Sequence, residues 1–176
     1  MTKIARVKRK ATLKAQRRAK AQVKVSLATI LGLIQGMMIE TEKYLSIEKK
    51  QYQDQIKRVW RWSNECFNQL DLGKHSLTKS LELVTAFSKI VERYIPPAGE
   101  KTVGDYAMVW LALGYLADEA VFFVEDRDQK KWTWLASVVD TWTGYCLDNA
   151  DKGRDYEAEA GELAERVRKI VWGWRR

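Results

Sequence analysis

No Asp or Glu occurs before Glu40, although Lys and Arg occur ten times over the same stretch. The rest of the chain carries 21 basic and 23 acidic residues, so the net charge divides into +10 on residues 1–39 and −2 beyond them. That division excludes a uniformly basic protein and ties any affinity for polyanions to one segment. Proline is almost missing as well. The only two stand side by side at 96 and 97, which argues against an all-β fold with its many turns. Cysteine is limited to Cys66 and Cys146, too few for a disulfide framework and without metal-ligand spacing. Both read as small buried apolar groups. His75 is the single histidine, so no histidine cluster can form, and no glycine-rich phosphate loop is present. The longest charge-free run, Val25 to Ile39, has 15 residues, short of the roughly 20 that a membrane-spanning helix needs.

What the first segment does contain is a helical pattern. At 100° per residue, Lys3, Arg6, Arg9, Lys10, Lys14, Arg17, Lys20 and Lys24 fall within an arc of about 140°. Ile4, Val7, Ala11, Ala15 and Ala19 form a small apolar strip on the other side. Ala, Lys, Arg and Gln are good helix formers, and neither Pro nor Gly intervenes before Gly32. Like charges at this density repel, so the isolated segment is expected to fray until a polyanion neutralises it. These eight residues, with Arg18, are the candidate nucleic-acid contacts. A solvated basic tail, a transit peptide and an amphipathic membrane anchor are the competing readings. The small-residue strip, suited to close packing, sets the segment apart from a bare tail, and its alanines would insert weakly into lipid.

Further along, helical spacing continues through Leu27, Leu31, Ile34, Met38, Leu45, Tyr52, Ile56, Val59, Ser63, Phe67 and Leu70. It is compatible with one helix from about residue 23 to 70, or with a pause near Thr41 to Ser46. Asp71-Leu72-Gly73 supplies a stop, and Ser76 a plausible cap for a second helix that ends at Pro96-Pro97. Thr102 and Asp105 resemble a capping box opening the most apolar helix, Tyr106 to Val124, whose place is the centre of the bundle. Asp128 is expected to cap the next helix. Asp151-Lys152-Gly153 marks the turn before a last helix bearing Tyr156, Ala160, Leu163, Val167, Ile170 and Trp174 on one side. The expected fold is all-α: a helical bundle of four to five helices over 40–176, with a long basic helical arm and apolar run over 1–39.

Nothing in this pattern calls for an enzyme. Asp118-Glu119, the acids at 125, 126 and 128, and the glutamates of the last helix all have structural explanations, and none pairs with a second acidic motif at metal-binding spacing. No catalytic residue, metal site or cofactor is expected. The aromatics are more informative. Six of the eight Trp form three W-x-W pairs: Trp60/Trp62, Trp132/Trp134 and Trp172/Trp174. Residues two apart on a helix point about 200° from each other, so one of each pair should face outward. The apolar stripes favour Trp60, Trp132 and Trp174 as the inner set. That leaves Trp62, Trp134 and Trp172 for an assembly interface, together with the GxxxG spacing of Gly32 and Gly36. Gly114, Gly144 and Gly161 are likewise consistent with close helix contacts.

A basic helical arm from Lys3 to Lys24 leading into a Trp-rich bundle resembles the major capsid proteins of filamentous and rod-shaped archaeal viruses. The resemblance is architectural and rests on no diagnostic motif. It implies paired coat subunits, identical or paralogous, that wrap double-stranded DNA with their basic N-terminal helices, while the bundles pack outside as a helical tube in the virion. The expected function is accordingly a structural, DNA-coating capsid subunit with nucleic acid and further coat subunits as partners, and no membrane. A cytoplasmic chromatin-like or regulatory DNA-binding protein is the alternative. RNA stays open beside DNA, because a basic helix senses phosphates without reading bases.

Overall fold

The computed structural model describes residues 3–41, 49–70, 74–94 and 102–172, with side chains described at all of these except 3–10, 18–22, 49, 51, 52 and 74–77. Among the described residues the protein is all-helical, a bundle without a strand. Its described helices number six, five of them within 40–176: α1 (Lys3–Thr41), α2 (Lys49–Gln69), α3 (Lys74–Val91), α4 (Val103–Val121), α5 (Asp126–Asp148) and α6 (Tyr156–Val171). The expected stops at Asp71-Leu72-Gly73 and Pro96-Pro97 lie outside the described residues.

A single helix from 23 to 70 is excluded. Lys24 Nζ donates to the Leu70 carbonyl at 3.4 Å, whereas a straight helix would hold those residues about 69 Å apart at 1.5 Å per residue. The chain therefore reverses between Thr41 and Lys49, and α2 packs back along α1.

The charge-free run sits in this packing. Ile30, Leu31 and Ile34 are fully buried beside Val59 and Trp62 of α2 and Phe87 of α3. From Val25 through Leu31 every residue of the run is buried, so this part of it packs with the bundle. The stretch Val23–Thr41, at 19 residues, is long and apolar enough to cross a membrane by length and composition, but 61% of it is buried inside the protein. The charge-free run understated that length because Lys24 and Glu40 bound it without ending its apolar character.

α4 occupies the centre, as its all-round apolarity suggests. It packs on α5, α6 and α1, and Trp110, Leu113 and Leu116 are fully buried. Its start is capped as expected: the Asp105 carboxylate accepts from the Thr102 backbone N–H at 2.8 Å and from its hydroxyl at 3.0 Å. Gly104 in that first turn sits in a tight space. A Cβ there would stand 3.1 Å from the Tyr156 hydroxyl and 3.5 Å from the Ala150 Cα, so the start of α4 can lie tightly against the α5–α6 connection. The acids that interrupt α4 face its margin. Asp118 is exposed, and Glu119 receives Arg168 of α6 at 2.7 Å.

Two other expected caps shift. Glu125 is the residue before α5, and Asp128 lies inside its first turn, where a carboxylate still complements the helix dipole. α3 begins at Lys74, so Ser76 is within it. α6 is capped by Asp155, whose carboxylate accepts from the Ala158 N–H at 3.1 Å. Next to it Arg154 binds Glu159 through two nitrogens and reaches Asp105 at 3.8 Å, linking the starts of α4 and α6.

Candidate nucleic-acid interface

Helix α1 has two halves with different surroundings. Residues 25–31 are buried without exception, while residues 11–17 are exposed without exception. Lys14 and Arg17 therefore project into solvent, and so do Ala11, Leu13 and Ala15, with Leu13 left 47% exposed. The small apolar strip opposite the cations finds no cover within the chain at these positions. Lys3, Arg6, Arg9, Lys10, Arg18 and Lys20 lie on the same helix, and their side chains are outside the described residues. The first turn holds no acid, so the positive end of the helix dipole adds to the field of the lysines and arginines.

Lys24 departs from this set. Half-buried and bonded to the Leu70 carbonyl, it marks where the helix enters the bundle instead of adding to its free cationic face. Two residues on, Ser26 donates to the Val171 carbonyl and ties α1 to the end of α6. A recess of about 160 Å3 opens here between Val23, Leu27, Cys66, Phe123 and Trp132. Phe123 stacks on Trp172 with centroids 4.8 Å apart, and its neighbour Phe122 is 84% exposed. An uncovered aromatic next to the base of a cationic helix is the plainest apolar contact point on the surface.

Both members of two tryptophan pairs lie among the described residues, and each of these pairs has one member more buried than the other. Trp132 is buried and Trp134 half-buried, as the stripes suggest. For the first pair the order is reversed: Trp62 is 5% exposed and Trp60 42%. The buried direction of α2 runs through Val59, Ser63 and Cys66, and Trp62 lies within about 60° of Val59 whereas Trp60 lies about 100° away. Trp62 stands edge-on to Trp132 at 5.3 Å and to Trp134 at 6.3 Å, joining α2 to α5. It is a core residue and is withdrawn from the candidate interface. Trp172 is half-buried under Phe123, and Trp174 lies outside the described residues. Of the glycines, a Cβ at Gly32 would meet Val84 of α3 at 3.9 Å, while Gly36 meets nothing within 4 Å. The GxxxG edge thus lines a groove of about 490 Å3 within one chain, with Ile39 exposed at its rim. Gly114 approaches Val139, but Gly144 and Gly161 face open space, so no close helix contact explains those two.

No family model matches this sequence, and no curated protein or solved structure matches it.

The remaining chemistry is that of a packed bundle. Both cysteines are buried, and burial pushes the Cys66 thiol up to about 11 and the Cys146 thiol up to about 12. Partial desolvation on the flank of α4, with Asp140 nearby, also raises the carboxyl of the surface residue Asp118. One feature escaped the reading by net charge: Arg58 and Arg61 flank Trp60 in sequence and reach the surface beside Lys131 and Trp134 of α5. The run K-R-x-W-R-W was the signal, hidden by averaging charge over the whole bundle.

Proposed function

We propose that this protein is a structural subunit that coats double-stranded nucleic acid, with the basic segment of α1 lying along the phosphates and the bundles associating into a filament, as in a viral coat. The observation that carries the reading is the two-part character of α1: one helix, anchored by buried residues from Val25 onward and exposed at 11–17, in a segment with no acid before Glu40. A cationic helix rooted in a folded body has a fixed direction relative to that body, and a flexible tail has none. The exposed Ala11 and Ala15 leave room for a second helix or a groove wall at close range. Phe122 and Trp60, uncovered on the bundle, suit contacts between copies. The absence of acids before Glu40 favours uniform phosphate contact over base readout.

The charge sets the expected numbers. With Lys24 held by the bundle, nine cations remain, enough for about nine phosphates or between four and five base pairs per chain. Log K should then fall with log salt at a slope near −8 on duplex DNA, with little dependence on sequence. Titration of duplex DNA with the full chain, followed by electron microscopy of the saturated material, tests both parts. Saturation at about one chain per five base pairs with filaments supports a coat. Saturation at one chain per several tens of base pairs, with dispersed particles, removes it in favour of sparse DNA binding.

A further inference from the structure

The α2–α5 surface holds a cationic groove that the proposed role of α1 does not use. It has a volume of about 260 Å3 and is lined by Arg58, Arg61, Trp62 and Glu65 of α2 with Lys131 and Trp134 of α5. Three cations face one carboxylate. Glu65 is engaged by Lys131 at 3.7 Å, and among the described residues neither Arg58 nor Arg61 has an acidic partner. The Arg58 guanidinium lies over the Trp134 ring at 5.1 Å, which holds its plane while leaving its N–H groups free to donate. Trp134 in turn packs edge-on to the buried Trp62. The platform is therefore built into the core and is not a loose surface side chain. Trp62, which lines the groove, also keeps its buried indole N–H without an acceptor, and a buried donor left unpaired is costly.

We propose that this groove is a second phosphate-binding site for a nucleic-acid backbone, with Arg58 and Arg61 as its direct contacts and Trp134 as the plate that orients Arg58. The proposal rests on the nucleic-acid reading of α1 and extends it to a second point of contact on the bundle. A phosphodiester fits because the net positive charge of the groove is concentrated in guanidinium groups, which match phosphate oxygens through paired N–H donors. Two contact regions on different helices would fix how the bundle sits against the strand, which a single helix free to slide along phosphates cannot do.

The test uses the full chain with a fluorescent 30-base-pair duplex, titrated at several salt concentrations from 50 to 200 mM. The proteins are wild type, Arg58→Gln/Arg61→Gln, Lys14→Gln/Arg17→Gln in α1, and Lys152→Gln on the α5–α6 turn as a control. Circular dichroism confirms that each variant is folded, as expected for exposed side chains. Loss of two phosphate contacts makes the slope shallower by about 1.8, so across that fourfold salt range wild type should lose about twelvefold more affinity than the groove variant. The control should match wild type. A groove variant with wild-type affinity and slope, beside an α1 variant with a flattened slope, overturns the second site and leaves α1 standing. A flattened groove variant beside an unchanged α1 variant supports the groove and removes the α1 reading. If the groove variant keeps the wild-type slope but fails to self-associate without DNA, the groove serves an acidic face of a second copy, and the nucleic-acid proposal is lost.

Discussion

At the level of single residues, the Trp60/Trp62 pair shows how little separates an inward from an outward side chain. Residues two apart on a helix do not easily share one core, and the apolar stripe through Ile56 favours Trp60 as the inner member, whereas the structure buries Trp62. The choice falls to α5, whose Trp132 and Trp134 receive Trp62 edge-on. Trp62→Ala should cost about 3–5 kcal/mol, whereas Trp60→Ser should stay within about 0.5 kcal/mol, as read from urea unfolding. Equal losses would mean that both indoles are in the core. The thiols offer a second check. Cys66 and Cys146 have folded-state pKa values raised above the ordinary thiol value to about 11 and about 12. Their contribution to stability is complete below pH 9 and is lost as pH rises through those values. The unfolding midpoint of wild type should thus fall more steeply above pH 9 than that of Cys66→Ala/Cys146→Ala. At pH 8 the native thiols should resist a thiol reagent that labels the unfolded chain at once.

Among the elements, α4 was the most legible and α1 the most instructive. An all-round apolar helix has nowhere to go but the middle of a bundle, and the Thr102–Asp105 cap is a local device that needs no tertiary partner. α1 combines two habits in one element: a run that must be buried and a run that cannot be. The point where one gives way to the other appears only in the packing, through Lys24 on Leu70 and Ser26 on Val171. Deleting residues 1–22 should accordingly leave a folded helical bundle with nucleic-acid binding lost or sharply weakened. Circular dichroism, thermal unfolding and a gel shift measure the three parts. A truncated chain that binds duplex DNA as tightly as the intact one would show that the cations of α1 are not the contact.

For the molecule as a whole, association between copies is the property that the surface invites. Phe122 is exposed at 84% beside the stacked Phe123 and Trp172, close to where α1 leaves the bundle. An aromatic that contributes almost nothing to its own core is expected to act between copies. Phe122→Ser should leave the unfolding midpoint unchanged and weaken self-association in sedimentation, in the presence of DNA or without it. Unaltered association would move the interface elsewhere, with the exposed Trp60 as the next substitution to make.

The sequence by itself determined the helical class, the apolar centre and the separation of charge at Glu40, because each depends on residues within a few turns of one another. Periodicity, capping and charge density are local quantities, and a chain states them directly. The tertiary structure alone decided which way each helix is rotated, where the chain reverses between Thr41 and Lys49, and that Lys24 belongs to the bundle. It also brought Arg58 and Arg61 of α2 against Trp134 and Lys131 of α5, residues some seventy positions apart. Those outcomes depend on contacts between distant segments, each competing for the same buried volume. A few tens of degrees about a helix axis, which no single helix specifies, is enough to exchange a core side chain for a surface one.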